Sequence, residues 1–139
     1  MITTFLAMDN GSNLRFARIN VDYTDLNTTA GLTKALTLFT LPKGGIIMYV
    51  GIKERTVSAG CTSLTVSVGN SSSATAFTSA VTLMGVVADA KDQETNVMKS
   101  VGDAAQSVIA TFTATVNNLT SLTQGNVDIY VLYTPVTTP

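Results

Sequence analysis

A stretch of alternating apolar residues from Leu41 to Gly69 constrains the fold of this chain more than any other feature. It reads LPKGGIIMYVGIKERTVSAGCTSLTVSVG, and apolar side chains recur at every second position in residues 46–52 and again in residues 64–68. A period of two indicates β-strands, because successive side chains point to opposite faces. Turn-forming residues at 58–60 separate the two runs. The pattern therefore predicts a hairpin of two strands at the centre of an all-β domain.

The first of these strands changes character along its length. It is apolar on both faces near Ile46 and on one face only near Lys53. We therefore expect the strand to enter the sheet interior near Ile46 and to emerge toward solvent near Lys53. Glu54, which lies between Lys53 and Arg55, is accordingly predicted to be exposed.

Further alternating runs are expected to form strands at residues 14–23, 34–41, 79–87, 107–116 and 126–133. In the run at 107–116, every second residue is predicted to share one apolar face: Val108, Ala110, Phe112, Ala114 and Val116. Leu119 and Leu122 in the loop that follows are expected to fold back onto the sheet. Residues 89–95 are predicted to be a charged loop, and residues 96–106 an irregular segment or a short strand.

Seven or eight short strands without a convincing helix predict a single-domain β-sandwich that is jelly-roll-like, with an immunoglobulin-like sandwich as the alternative. The expected organisation is an N-terminal arm at residues 1–13, the sandwich at 14–134 and a short tail at 135–139.

Composition narrows the function classes. Only 12% of the 139 residues are charged and the net charge is −1, with scattered lysine and arginine residues, so nucleic acid is not an expected partner. The lone Cys61 cannot form an intramolecular disulfide. The sequence shows neither a signal-peptide pattern nor an apolar run of the roughly 18 residues that a membrane helix needs, and no membrane partner is expected.

The chain contains no histidine, which removes the usual nucleophilic triads and imidazole metal ligands. Asp89, Asp92 and Glu94 form the only acidic cluster, but their spacing does not match a calcium loop and Lys91 lies among them. No catalytic residue, cofactor or metal ligand is therefore predicted, and the chain is not expected to be an enzyme. Tyr49 and Tyr130 are candidates for stacking on sugar rings or for packing at a subunit interface.

Three segments carry a resemblance to a known group of proteins: LTLFTLPKGGIIMYVGIKERTVSAG (36–60), SLTVSVGN (63–70) and IATFTATVNNLTSLTQGNVDIYVLYTP (109–135). Together they resemble jelly-roll capsid decoration (cement) proteins of tailed bacteriophages. The shared pattern is LP-x-G-G, a long apolar strand and a final G-x-V-D-I-x-V-x-Y strand.

The resemblance implies a homotrimer that is assembled in the host cytoplasm, binds the major capsid protein on the capsid surface of the virion and stabilises the shell. A carbohydrate-binding module that recognises host glycans, or a component of the tail or fibre, remains an alternative. Contact regions are expected in the N-terminal arm and in the charged loop. The predicted interface residues are Ile2, Phe5, Leu6, Tyr49, Asp89, Asp92, Glu94 and Tyr130.

Overall fold

The structure is a computed structural model that describes residues 3–8, 14–84, 92–100 and 104–135. These residues form nine strands, of which the first and the seventh are described by their backbone alone. The strands are β1 (Thr3–Met8), β2 (Arg15–Asp22), β3 (Thr33–Leu41), β4 (Ile46–Ala59), β5 (Ser63–Gly69), β6 (Thr78–Thr82), β7 (Asp92–Ser100), β8 (Gln106–Thr115) and β9 (Gln124–Thr134). Within this part of the chain, no helix has the length and apolar character needed to span a membrane.

The strands form two sheets, which confirms the predicted β-sandwich. Sheet A has the order β1-β2-β9-β4-β7, and sheet B has the order β3-β8-β5-β6. The antiparallel pairs are nested, since β5 pairs with β6, β4 with β7, β3 with β8 and β2 with β9. The chain thus runs as one long hairpin of strand pairs, with β5 and β6 innermost, that is folded over into two sheets. This topology is jelly-roll-like.

One apolar row from each inner strand fills the space between the sheets. Alternation predicts most of these rows correctly, because a strand buried on one face presents every second residue to the core. Across the core, the ring of Phe39 on β3 stacks on that of Tyr133 on β9, with centroids 4.8 Å apart. The rows include Ala17, Ile19 and Val21 on β2, Leu64, Val66 and Val68 on β5, Val108, Ala110, Phe112 and Ala114 on β8, and Val127, Ile129 and Val131 on β9.

The predicted central hairpin is wrong, although both of its strands exist. β4 pairs with β9 and β7 in sheet A, whereas β5 pairs with β8 and β6 in sheet B. The chain therefore crosses from one sheet to the other at residues 60–62. Gly60 makes this corner with φ 109°, and the neighbouring Ala59 carbonyl accepts a hydrogen bond from the Thr123 amide at 2.9 Å.

The prediction that Glu54 is exposed is also wrong. An irregularity in the pairing between Ile47 and Tyr49 sets the phase of β4, so that Val50, Ile52 and Glu54 share the inner face. Glu54 is only 1% exposed, and its Oε1 accepts a hydrogen bond from the Ser58 amide at 3.2 Å. Period two places residue 54 with residues 50 and 52, and the charge of the side chain does not override that phase.

In the segment that follows β8, the prediction that Val116 belongs to the apolar row is wrong, whereas the predicted positions of Leu119 and Leu122 are confirmed. Val116 leaves the apolar row, is 80% exposed and has φ 68°. Leu119 and Leu122 fold back into the core as predicted. A 3-10 helix at Leu119–Ser121 brings these two leucines to one end of the sandwich.

The segment predicted to be a charged loop is in part a strand. Asp92 through Thr95 begin β7, which pairs with β4 at the edge of sheet A, while Asp89 lies outside the described residues. Charged residues are common on edge strands, because they discourage pairing with other chains. The strand predicted at residues 79–87 is observed as β6 (Thr78–Thr82), and residues 85–87 lie outside the described part. Residues 3–8 of the expected arm form β1, paired with β2.

Replacing Gly60 with alanine should strongly destabilise the fold. A Cβ there would lie 2.0 Å from the Ser121 carbonyl oxygen, and the φ of 109° is strained for alanine. We expect Gly60→Ala to lower the free energy of unfolding by about 2–5 kcal/mol. Gly31→Ala is the matched control, because a Cβ at Gly31 meets nothing within 4 Å. Urea unfolding followed by circular dichroism measures both, and equal midpoints would contradict the corner geometry.

Val116→Asn should stabilise the protein. A β-branched residue at φ 68° is strained, whereas asparagine tolerates the left-handed region. Because Val116 is 80% exposed, little packing is lost. The free energy of unfolding should rise by about 0.5–1 kcal/mol, an order-of-magnitude expectation for relief of this strain. A lower thermal midpoint than that of the parent protein would show that Val116 contributes packing instead.

Candidate functional site

The outward face of sheet A carries a carboxylate that neighbouring side chains cover completely. Val127 and Ile129 of β9 face the core, so Asp128 between them lies on the opposite face. Its cross-strand partners are Asn20 on β2 and Lys53 on β4. Asp128 is nevertheless 0% exposed. It is therefore buried by side chains of its own sheet and not by the core.

Two arginines and two neutral donors surround this carboxylate. Arg18 donates to Oδ2 of Asp128 from Nε at 3.2 Å and from Nη2 at 3.0 Å. Arg55 donates from Nε to the same oxygen at 2.5 Å. The amide of Asn20 donates to Oδ1 at 2.8 Å, and the hydroxyl of Tyr130 donates to Oδ2 at 3.3 Å. Both carboxylate oxygens therefore accept hydrogen bonds.

These contacts favour the charged forms of Asp128 and Arg55. Burial alone would raise the pKa of Asp128, but the hydrogen bonds from Asn20, Arg55 and Arg18 outweigh it and hold the pKa below its usual range. The hydrogen bonds to Asp128 and Tyr130 raise the pKa of Arg55. With two guanidinium groups around one carboxylate, the cluster has a formal charge of +1.

A row of amides extends the network toward one end of the sandwich. Asn20 donates to the side-chain oxygen of Asn126 at 2.6 Å, and Asn126 donates to Oδ1 of Asp22 at 3.2 Å. Asp22 caps the 3-10 helix Tyr23–Asp25. Burial raises the pKa of Asp22, and the hydrogen bonds from Asn126 and Thr24 more than offset this and lower it. The network thus ties the surface of β2 and β9 to the loop that follows β2.

Aromatic rings lie beside the arginines. The rings of Tyr130 and Phe16 have centroids 5.6 Å apart, and Nη2 of Arg55 donates to the Tyr130 hydroxyl at 2.9 Å. A Cβ added to Gly51 would lie 2.7 Å from the hydroxyl oxygen of Tyr49. The Tyr49 ring therefore occupies the space that a side chain at Gly51 would need. Since Gly51 is the cross-strand partner of Tyr130, the two tyrosines lie on the same face.

The backbone register brings several predicted interface residues into neighbouring rows of sheet A. Tyr49 and Tyr130 flank Gly51, and Glu94 of β7 is the cross-strand partner of Gly51 on its other side. Asp92 pairs with Lys53, Phe5 with Arg18 and Leu6 with Ala17. Ile2 and Asp89 lie outside the described residues. That these eight residues form an interface stays a prediction.

Sequence reasoning missed the centre of the site. Arg18, Arg55 and Asp128 come from three strands that are far apart in the sequence, and no motif links them. The sequence offers one signal, which is strand alternation. Arg18 and Asp128 alternate with the apolar residues of their strands, so both are predicted to lie on the outward face. Only the register, which pairs β9 with both β2 and β4, shows that they meet.

Other reactive groups do not form a second cluster in the part of the chain that the structure describes. Cys61 is buried, its thiol lies 3.4 Å from the carbonyl oxygen of Asn118, and burial raises the pKa of the thiol. In the ranges that the structure covers, no three acidic, cysteine or histidine side chains are grouped so that they could hold a metal ion. The network around Asp128 is therefore the candidate site.

Comparisons with known proteins give a fold. No protein-family model matches the chain, and no curated protein matches it. A chain of the cyanophage Pam1 capsid asymmetric unit is similar with a TM-score of 0.65 and 22% identity, covering 94% of this chain and 92% of that chain. A chain of the acidic stable capsid structure of Helicobacter pylori bacteriophage KHP30 is similar with a TM-score of 0.63 and 16% identity, covering 98% of this chain and 95% of that chain. A chain of the capsid of Ralstonia phage GP4 is similar with a TM-score of 0.57 and 13% identity, covering 98% of this chain and 92% of that chain.

Removing the carboxylate should destabilise the protein at neutral pH. Asp128→Ala removes the acceptor that two guanidinium groups and the Asn20 amide share, so that, among the described residues, Arg55 retains only Tyr130 and Asn20 retains only Asn126. We expect the free energy of unfolding at pH 7 to fall by about 1–3 kcal/mol, a range reduced because the arginines are half-exposed. Thr37→Ala, at an exposed position on β3, is the control and should change stability by less than about 0.5 kcal/mol.

The same variant gives a pH dependence with a defined sign. The pKa of Asp128 is lower in the folded than in the unfolded protein, so its contribution is complete above the unfolded value and is lost as the pH falls through the folded value. The stability difference between parent and Asp128→Ala should therefore be largest above about pH 5 and shrink below about pH 4. A difference that stays constant down to pH 2 would contradict this account.

Proposed function

We propose that this protein is a structural component of a bacteriophage virion, a decoration or cement protein that binds the outer surface of the head and stabilises the shell. The observation that carries the proposal is the fold shared with chains from three phage capsid structures over 94–98% of this chain. The matched chains are themselves covered over 92–95% of their length. The likeness therefore extends over nearly the whole of each matched chain and is not confined to one domain of a larger protein.

The proposed mechanism is binding to the assembled state. A protein that binds the closed shell but not its free subunits stabilises the shell by mass action. The proposed partners are the major capsid protein and further copies of this chain in a homotrimer, placed on the capsid surface after assembly in the host cytoplasm. The low charged fraction of 12% is compatible with wide contacts to neighbouring subunits. Residues of the predicted arm and of the segment 89–95 are proposed to take part.

A structural and not a catalytic role is part of the proposal. The chain contains no histidine, so general acid–base chemistry by imidazole is not available to it. The polar groups that the structure brings together around Asp128 are paired with one another. Such pairing suits a rigid surface better than proton transfer to a substrate.

A carbohydrate-binding module on the virion, including one in the tail or fibre, is the second candidate. The observation that favours it is the placement of Tyr49 and Tyr130 around Gly51 on one sheet face. Aromatic rings beside arginines can stack on sugar rings while the arginines donate hydrogen bonds. A glycan array probed with the purified protein would distinguish this candidate, and Tyr130→Ala should then abolish the signal.

Two experiments test the main proposal. The first is light scattering at several protein concentrations, and the second is binding of the protein to shells of the same virus that lack it. We expect a stable species near three times 14.5 kDa and saturable binding that raises the temperature at which the shells disrupt. A strict monomer that leaves shell stability unchanged would overturn the proposal. Retention on glycans by such a monomer would favour the second candidate.

A further inference from the structure

The two sheets present outward faces of different chemistry. On sheet B most outward positions carry hydroxyl groups or small side chains, as in Thr37, Thr111 and Thr65, and Ile109 is a larger apolar exception. Lys34 is the one charged residue in the four strands of sheet B, and its cross-strand partner is the core residue Phe112. Among the residues with described side chains, the outward positions of sheet A carry Arg18, Asp22, Lys53, Arg55 and Asp128.

The outward face of sheet A also has the composition of a binding surface. Phe16, Tyr49 and Tyr130 lie there with Arg18 and Arg55. Arginine and aromatic residues are enriched at the centres of protein interfaces and among the residues that dominate binding energy. No comparable set lies on the outward face of sheet B in the described strands. The asymmetry points to sheet A as the docking side.

Among the side chains that the structure describes, the arginine pair is incompletely neutralised. One carboxylate serves two guanidinium groups, whose side chains are 46% exposed in Arg18 and 43% exposed in Arg55. The contacts to Asp128 and Tyr130 use Nε and Nη2 of each arginine. Among the described residues, Nη1 has no hydrogen-bond acceptor in either one. A second carboxylate arriving from outside would therefore complete the cluster.

We propose that the outward face of sheet A docks on a different protein subunit, and that the occupant is a segment that carries a carboxylate next to an apolar or aromatic side chain. This deepens the proposed function and rests on it. The incoming carboxylate binds the exposed ends of Arg18 and Arg55 by charge-assisted hydrogen bonds. Its apolar neighbour packs on Tyr130, Phe16 and Tyr49.

Asp128 is a positioning residue in this arrangement. It fixes both guanidinium groups before the partner arrives, so less side-chain entropy is lost on binding. The area fits a small protein interface, somewhat below the standard size. Five strands about 4.8 Å apart and about eight residues long at about 3.4 Å per residue give a face on the order of 600 Å². A standard interface buries about 800 Å² on each partner.

Shell binding by matched variants tests this inference. Arg55→Gln leaves Asp128 paired with Arg18 and Asn20, so the fold should persist, and its affinity for shells should fall about tenfold or more. Arg55→Lys should bind with intermediate affinity, because it keeps the charge but not the planar fork. Thr37→Gln, on the outward face of sheet B, is the control and should bind as the parent does. Thermal unfolding verifies that each variant is folded. If Arg55→Gln unfolds, Tyr130→Phe replaces it, because this variant removes the acceptor of Arg55 Nη2 together with the hydroxyl that donates to Asp128 at 3.3 Å.

The outcomes separate this inference from the proposed function. If the parent binds shells and Arg55→Gln binds equally well, the docking surface is wrong while the cement role stands. If the parent does not bind shells, the proposed function fails first. A change in solution mass caused by Arg55→Gln would mean that a second copy occupies the face. Competition by a sulfated oligosaccharide but not by a glutamate-containing peptide would assign the face to a saccharide, and either of the last two results would overturn the inference.

Discussion

The pairing of β9 with β2 on one side and with β4 on the other is the interaction on which the structure depends. This strand supplies Val127, Ile129 and Val131 to the core and, on its other face, Asp128 and Tyr130 to the surface network. The register that aligns the core rows also brings Arg18 and Arg55 to the same carboxylate. Fold and candidate site are thus determined by the same hydrogen-bonded ladder.

The network around Asp128 balances two opposing effects. Removing a carboxylate from water is costly, and that cost is recovered only when several donors satisfy it. Here four side chains donate to the two oxygens, and the arginines remain half-exposed, so they retain part of their hydration. The result is a surface whose charged groups are held in place by the protein itself. On the outward face of sheet B, the described strands hold hydroxyl groups by hydrogen bonds such as that between Ser63 and Thr115, without paired ions.

The sequence predicts the strands well and their partners poorly. Alternation identifies β2, β5, β8 and β9 because each is buried on one face. It does not identify the sheet to which a strand belongs, so two strands separated by three residues resemble a hairpin while lying in opposite sheets. Glu54 shows a further limit, since its charge favours exposure although its phase places it inside. The site at Asp128 depends on register across three strands, which a single sequence does not encode in any local pattern.

The nested pairing has a consequence for how the protein is made. The innermost pair, β5 with β6, joins strands that are close in sequence, whereas β2 and β9 are separated by more than 100 residues, as in the Arg18–Asp128 pair with its separation of 110. A ribosome synthesises β2 long before β9, and sheet A lacks its middle strand until residue 134 has emerged. During translation, β2 and β4 therefore expose edges that only β9 can cover. We expect folding to be slow and to be completed after β9 is released, as is usual for proteins dominated by distant contacts.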